Sequence, residues 1–422
     1  MKVLVISHNP IGTQCNMGKT MLSLFSALKR EEICQLYIYP TLPDVDLCSS
    51  YFRITDKDVL RAYYSLKLNC GEVTPHCDSS NMYENAQDEK IYTNPKNKND
   101  IRMILRDLMW KCAHWYTKKL KLWLEKENPT CIFVAPGPST FLYDIALKIA
   151  KQRNIPIVTY ICDDYYFVKT PKKLLARVRV AFLKRKISCL MKATSKLVVI
   201  CDALKKEYSK EFSLPTEKIM TGSDFVFAKK QGTTAYPTTI SYFGNICCNR
   251  YISLAEIGNE LDLINEEKGT NFKLNIYTSE KNSQILFCFS GIKSVNLCPF
   301  ISGKDFEEAL LNSHILLHVE AFDEESIDLV KHSISTKIPD SLASGVPLMA
   351  YGPESIASIE HLRSNQCAII ATSRDELEDA LKKAFFDENI RNTVVLKAME
   401  TAKKYHSNKD NGDLLRQILL SL

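Results

Sequence analysis

The sequence predicts an α/β protein of two doubly wound domains facing each other across a cleft, and three observations predict it. Short apolar runs of strand length alternate almost throughout with longer segments of helical periodicity, the pattern of parallel strands wrapped on both faces by helices. At 422 residues the chain exceeds one ordinary core, and two domains of roughly 200 residues each are the default division. A turn-rich join, KKQGTTAYPTT around Lys229–Thr239, interrupts the alternation midway. The expected domains are therefore Rossmann-like units over 1–228 and 229–400, with a C-terminal helix over 401–422 that packs back on the first.

In the first half the strands read KVLVIS, QLYIYP, CIFVAPG, IPIVTYIC and KLVVIC. Between them lie segments such as MILRDLMWKCAHWYTKKLKLWLEKE, whose apolar residues recur at helical spacing. The stretch Asn69–Asp100 is polar and nearly without period, which reads as a long functional or mobile loop. In the second half the strands read ISYFGN, FKLNIYT, SVNLCPF, HILLHVEAF, VPLMAYG and CAIIAT. In open sheets of this kind, ligands bind beyond the carboxyl ends of the strands.

The 45% hydrophobic and 25% charged fractions are those of a soluble globular protein. No run has the length and apolarity of a spanning helix, and the N-terminus passes straight into a strand pattern, so a cytoplasmic location is expected. Fifteen cysteines are scattered, several inside apolar runs (Cys131, Cys162, Cys201). They read as reduced thiols, and the adjacent pair Cys247-Cys248 is not a zinc spacing.

The net charge of +6 is unevenly placed. From Tyr165 to Cys201 no acidic residue occurs, while lysines and arginines crowd positions 169–196, including Lys184, Arg185 and Lys186, interleaved with Leu174, Leu175, Val178 and Phe182. Such a basic amphipathic segment suits an anionic membrane surface or polyanionic acceptor, or else is the solvated face of a basic domain. No nucleic-acid recognition motif accompanies it, and nucleic acid is not expected as a partner.

Near the N-terminus, IGTQCNMGKTM ends in Gly18-Lys19-Thr20. A P-loop requires the spacing Gly-x-x-x-x-Gly-Lys. Five residues, Thr13 to Met17, separate Gly12 from Gly18, so the register is wrong for an ATP cradle. What remains is a strand feeding a helix through a glycine turn at Gly18, an anion site of low specificity.

The strongest local signal is HSISTKIPDSLASGVPLMAYGP. Ser335 and Thr336 can cap a helix, Pro339 falls in its first turn, and Gly345 supplies the stop. Lys337 and Asp340, three apart, share a face near the N-terminus. They can hold a phosphate and a ribose diol, or they form a surface ion pair on a short helix. In YICDDYYF, Asp163-Asp164 end a strand ahead of Tyr165 and Tyr166, a carboxylate pair suited to acceptor hydroxyls with an aromatic ring to stack on a sugar. No second ligand cluster supports a metal. His8 follows the first strand and is either a cleft residue or a structural histidine.

The Ser335–Gly345 stretch resembles the P-x-K-x-x-E-Y-M-A-x-G-x-P-V signature of retaining nucleotide-sugar glycosyltransferases of the GT-B fold (glycosyltransferase group 1, family 4-like). Lys337, Asp340, Leu342, Ala343, Gly345 and Pro347 fall on matching positions. The resemblance implies a ribose contact for Asp340, aspartate standing where glutamate is usual. It also implies a donor site that includes Ser335, Thr336 and Lys337. SYFGNICCNRYISLAEIGNEL is similar to the family's loop after the first strand of the second domain, so Gly244 and Asn245 match its glycine turn and Arg250 its diphosphate ligand. The N-terminal glycine loop with Gly18 resembles the family's first such loop, near donor phosphates or acceptor.

The family's E-x7-E motif is incomplete, because its first glutamate falls on His332; Glu320, at a strand end, is a candidate substitute. The implied function is hexosyl or related glycosyl transfer from a nucleoside diphosphate sugar to a glycan or lipid-linked acceptor, in bacterial surface polysaccharide synthesis; the basic segment over 169–196 adds the expectation of a peripheral place on the inner face of the membrane. Arg250 and Lys337 would carry catalysis by stabilising the leaving diphosphate, with Asp163 and Asp164 on the acceptor side. The donor is a substrate, and neither a cofactor nor a metal is expected. Two other classes compete: a kinase or ATPase built on Gly18-Lys19-Thr20, which lacks the register, and a non-catalytic membrane adaptor, which leaves Arg250, Lys337 and Asp340 unexplained.

Overall fold

The computed structural model describes residues 1–13, 15–64, 70–76, 100–169, 171–223 and 237–422. The chain divides into two units: Met1–Thr221 with Asn408–Leu422, and Gly222–Ser407. The first unit thus ends at Thr221 where the sequence reading placed 228, and the returning C-terminal segment begins at Asn408 where that reading placed 401. Most of the Asn69–Asp100 stretch and most of the Lys229–Thr239 join lie outside the described residues.

The first unit is built on an eight-stranded sheet. From one edge to the other run β4 (Glu72–Thr74), β3 (Ser50–Arg53), β2 (Ile33–Tyr37), β1 (Val3–Ser7), β5 (Cys131–Ala135), β6 (Ile157–Ile161), β7 (Thr194–Val199) and β8 (Thr216–Lys218). Every pairing is parallel except β3 with β4. Every residue of β1, β2, β5 and β6 is buried. A parallel strand covered by helices on both faces has no solvent side, which is why these segments read as continuous apolar runs. The sequence reading passed over β3, β4 and β8. These are short edge or near-edge strands with polar residues, SYFR, EVT and TEK, and a strand at a sheet edge needs no apolar run.

The long periodic segment before β5 is two helices, Asp100–Cys112 and Lys118–Glu127. Thr117 starts the second by accepting the Leu120 N–H at 3.4 Å. The C-terminal helix Asn408–Leu420 returns to the helix Asn16–Leu24 and its following turn. Ser23 Oγ donates to Asn408 Oδ1 at 2.5 Å, and Arg416 pairs with both Glu32 oxygens at 2.6 and 2.8 Å. Gly412 permits the approach, since a Cβ there would lie 2.9 Å from the Ala27 nitrogen.

The second unit carries a six-stranded, all-parallel sheet: β11 (Val295–Pro299), β10 (Lys273–Thr278), β9 (Thr239–Phe243), β12 (Ile315–Val319), β13 (Leu348–Tyr351) and β14 (Ile369–Ala371). Helix Arg250–Lys268 buries Leu254, Ile257 and Leu261 against Ile240, Leu274 and Ile276 of the sheet. In both sheets the chain winds outward first to one side and then to the other. The reversal falls between β1 and β5 in the first unit and between β9 and β12 in the second, the places where doubly wound sheets open a crevice.

Candidate functional site

At the reversal point of the second unit, two loops leave neighbouring strand ends. After β9, Gly244 takes φ +152°, and its N–H donates to the Tyr277 carbonyl at 3.0 Å. A Cβ at Gly244 would sit 3.8 Å from Lys337 Cε, so the glycine turn lies against the lysine of the Ser335–Gly345 stretch. Asn245 closes the turn, its Oδ1 accepting the Cys247 N–H at 2.8 Å and its carbonyl accepting from Tyr242 Oη at 2.8 Å. Cys248 and Asn249 follow at φ +52° and +55°, two successive left-handed residues that swing the chain into helix Arg250–Lys268.

Arg250, first residue of that helix, is not poised alone. Its Nε and Nη2 donate to Glu320 Oε2 at 2.9 and 2.8 Å. Glu320 is buried just after β12, where burial pushes its carboxyl up and Arg250 opposes that shift. The carboxylate that the resemblance suggested for the sugar is thus engaged with the expected diphosphate ligand. His318 lies behind it, with Nε2 3.0 Å from Ser358 Oγ and 3.5 Å from Glu320 Oε1. Burial first, and Arg250 second, lower its pKa to about 3, which keeps the ring neutral. Asn249 Nδ2 donates to Asp323 Oδ2 at 3.1 Å and ties the two loops together.

The helix expected after Ser335 and Thr336 runs over Ile338–Ala343, and neither of them caps it. Lys337 is the N-cap, without a side-chain capping bond. Ser335 Oγ accepts the Lys337 N–H, at 3.4 Å, because the chain turns once more before the helix begins. Pro339 does fall in the first turn, and Gly345 ends the element at φ +73°. Asp340 Oδ1 accepts from Ser223 Oγ at 2.7 Å, and Ser223 N–H donates to the His406 carbonyl at 2.9 Å. The carboxylate expected on a ribose therefore already braces the start of the unit against its end. His332 is buried.

At the reversal point of the first unit lies a cavity of about 960 Å³. His8, Cys15, Met103, Arg106, Asp163 and Tyr165 are among its lining residues. His8 Nε2 lies 2.9 Å from Ser139 Oγ. Burial, then Arg106, against a smaller opposing effect of Asp56, lower its pKa to about 3, so it enters the cavity as a neutral ring. Arg106 grips Asp56 with Nε at 3.0 and 2.9 Å, and Trp110 Nε1 donates to the same carboxylate at 2.7 Å. Sequence reasoning missed this cluster. Arg106 and Trp110 sit in a periodic helix without any motif, and the only signal was a charged residue inside an apolar stripe.

The Asp163-Asp164 pair divides. Asp163 is exposed and lines the cavity. Asp164 instead accepts from the N–H groups of Tyr166 and Phe167 and from Tyr208 Oη at 2.8, 3.2 and 2.9 Å, which is a turn-holding role. Tyr165 lines the cavity, whereas Tyr166 packs on Phe212 with ring centroids 5.0 Å apart. Gly18 sits inside the first turn of helix Asn16–Leu24, its N–H donating to Cys15 Sγ at 3.2 Å. A Cβ there would meet the Gly12 carbonyl oxygen at 2.7 Å, so packing explains the glycine. Lys19 is exposed.

The basic segment becomes helix Leu174–Ala193, whose buried residues, Leu183, Ile187, Leu190 and Met191, all lie in its later part. Leu174, Leu175 and Val178 are exposed, 73%, 48% and 56% respectively, beside exposed Lys172, Lys173 and Arg177. Lys184 and Lys186 are internally engaged, on the Val168 carbonyl and Asp144. Among the described residues no helix is long and apolar enough to cross a membrane.

No protein-family model matches the sequence, and no curated protein sequence matches it. Solved structures do match the fold. The α,α-trehalose-phosphate synthase (UDP-forming) from Burkholderia vietnamiensis superposes with a TM-score of 0.62 at 10% identity, covering 100% of both chains. Anabaena HepE in complex with UDP gives 0.65 at 10% identity, again over 100% of both. UDP-GlcNAc 2-epimerase from Neisseria meningitidis, bound to UDP-GlcNAc, gives 0.53 at 15% identity over 100% of both. Two parallel, doubly wound units in one chain, matched end to end by these structures, identify the fold: the chain has the GT-B fold, and GT-B glycosyltransferases are among its structural neighbours.

Proposed function

We propose that this protein is a glycosyltransferase that moves a sugar from a nucleoside diphosphate donor to a glycan or glycolipid acceptor at an anionic membrane surface. A bacterial surface polysaccharide is the product class that fits such an acceptor. One observation carries the reading. The Gly244 turn and Lys337, far apart in sequence, meet within 3.8 Å of the missing Cβ, and the same turn leads to Arg250 at the head of a 19-residue helix. A bare glycine, a lysine, an arginine and a helix N-terminus are the parts from which a diphosphate cradle is made. Two fold neighbours support the donor class, HepE in complex with UDP and the E. coli protein bound with UDP-2-fluoro glucose.

In this reading Arg250 and Lys337 stabilise the charge that grows on the leaving diphosphate. Glu320 orients the guanidinium, and retention at the anomeric carbon follows the family resemblance. The cavity beside Asp163 and Tyr165 takes the acceptor. The exposed apolar and basic residues at the start of helix Leu174–Ala193 hold the protein on the membrane. A shared fold does not choose the reaction, since an epimerase also has it.

Thermal shift against UDP, GDP, CMP, ADP and ATP tests the donor site. A ligand at about 100 times its Kd adds roughly 2.7 kcal/mol. Stabilisation by one diphosphate nucleotide, followed by acceptor-dependent release of it from its sugar, is the expected result. Epimerisation of the sugar without any acceptor would replace this reading by the other chemistry of the fold.

A further inference from the structure

We propose that Cys247 and Cys248 form an oxidation-sensitive thiol pair in the turn that carries Arg250, with Cys247 the nucleophile toward a hydroperoxide and Cys248 the resolving thiol. The two sulfurs are 3.8 Å apart, Cys247 is exposed and Cys248 is partly buried. Arg250 Nη1 lies 4.0 Å from Cys247 Sγ, and the N-terminus of helix Arg250–Lys268 follows directly. A thiol beside a guanidinium and a helix N-terminus is held toward its thiolate.

Two groups that face Cys247, Cys248 and Arg250, favour its thiolate, while burial and Glu280 oppose it. The Cys248 S–H donates to it and Arg250 attracts its charge, and its pKa falls to about 6; the partner Cys248 is raised. Glu320, behind Arg250, adds to the rise of Cys248. Cysteines in the apolar interior, such as Cys48 and Cys367, are instead pushed up to about 12 by burial.

The chemistry balances without a metal. The Cys247 thiolate attacks the hydroperoxide; an S–O bond forms, the O–O bond breaks, and the leaving oxygen takes a proton as alcohol or water. Sulfur is oxidised by two electrons to the sulfenic acid. Cys248 then attacks that sulfur, an S–S bond forms, and hydroxide leaves with the Cys248 proton as water. Bringing sulfurs from 3.8 Å to bonding distance requires Cys248 and its left-handed neighbour Asn249 to move, and Arg250 with them. Closure of the pair should therefore weaken nucleotide binding, a consequence that rests on the proposed donor site.

The test treats the full-length protein with hydrogen peroxide and reads intact mass, dimedone trapping and a non-reducing peptide map. Expected is a loss of two hydrogens mapped to Cys247–Cys248. Cys247→Ser should show neither product, and Cys248→Ser should stop at a dimedone-reactive sulfenic acid. Cys247 should trap about tenfold faster than exposed Cys112, Cys189 and Cys288, with the rate falling as pH drops through about 6. Labelling of Cys247 no faster than those three, or the same total dimedone labelling and two-hydrogen loss in Cys247→Ser as in the parent, would overturn the proposal. UDP affinity is measured separately on reduced and oxidised protein. Failure of the reduced protein to bind any nucleotide would overturn the donor reading and leave the thiol result standing.

Discussion

Arg250 is clamped by Glu320, its Nε and Nη2 both within 2.9 Å of a single buried carboxylate oxygen. The pair joins the two loops that leave β9 and β12, and it fixes where a guanidinium points at the mouth of the sheet. Removing one member leaves the other charge without its partner in a largely desolvated place, which costs about 3–5 kcal/mol for a buried pair, and less where Arg250 keeps some solvent contact.

Arg250 and Lys337 separate catalysis from holding the donor. Arg250→Ala and Lys337→Ala are each expected to lower transfer by roughly a hundredfold or more, as loss of one preorganised charge-stabilising group does. Arg250→Lys keeps the charge but cannot make the two-point contact with Glu320 and should also be poor. Single and double mutants assayed for transfer and donor hydrolysis decide the matter. Effects that add fully would mean that the two do not share the same phosphates.

Asp340 accepts a hydrogen bond from Ser223, 2.7 Å away. A ribose role and a bracing role make different predictions. If ribose is the ligand, Asp340→Ala weakens nucleotide binding by about 1.5–3 kcal/mol, while Ser223→Ala leaves it near the parent value. If the bond only braces the unit, both variants lower Tm and neither changes the discrimination between ribose and deoxyribose nucleotides. Titration calorimetry with both sugars distinguishes them.

His8 and His318 should make the fold acid-sensitive. Each has a folded pKa of about 3 against 6.5 for the free side chain. The stability they contribute is present above about pH 6.5 and is lost as pH falls toward 3, because the unfolded chain takes up protons that the buried rings refuse. Each contributes a limiting slope of about 1.4 kcal/mol per pH unit in that window. Denaturant titrations from pH 7 to 4 should show the loss, and His8→Gln or His318→Gln should flatten it. An unchanged slope in both variants would contradict the assignment.

Membrane attachment should depend on Lys172, Lys173, Arg177 and Arg185, which are exposed, and not on Lys184 or Lys186, which are bonded internally. Serine at the first four should release the protein from anionic vesicles, at about 1 kcal/mol per charge. Nucleotide binding should be retained. Co-sedimentation at moderate salt measures it, and equal retention of the quadruple variant and parent would exclude the surface.

Much of the architecture was legible in the sequence because what encodes it is local. The buried parallel strands announce themselves as continuous apolar runs, and Gly244, Pro339 and Gly345 mark turns whose backbone needs them. The two stretches around Arg250 and Lys337 were likewise visible as motifs. The edge strands β3, β4 and β8 were not, since an edge asks for no pattern. Neither was the break at Thr117, where one capping bond divides a single period.

What only the tertiary structure decided is who meets whom. Arg250 with Glu320, Asp340 with Ser223, and Asp56 with both Arg106 and Trp110 join residues that no spacing relates. Asp163 and Asp164, identical neighbours in sequence, separate into a cavity residue and a turn holder. The physical reason is that periodicity reports which face of an element is dry, whereas the partner of a polar side chain is set by strand order and loop path, and those are settled only when the sheets assemble.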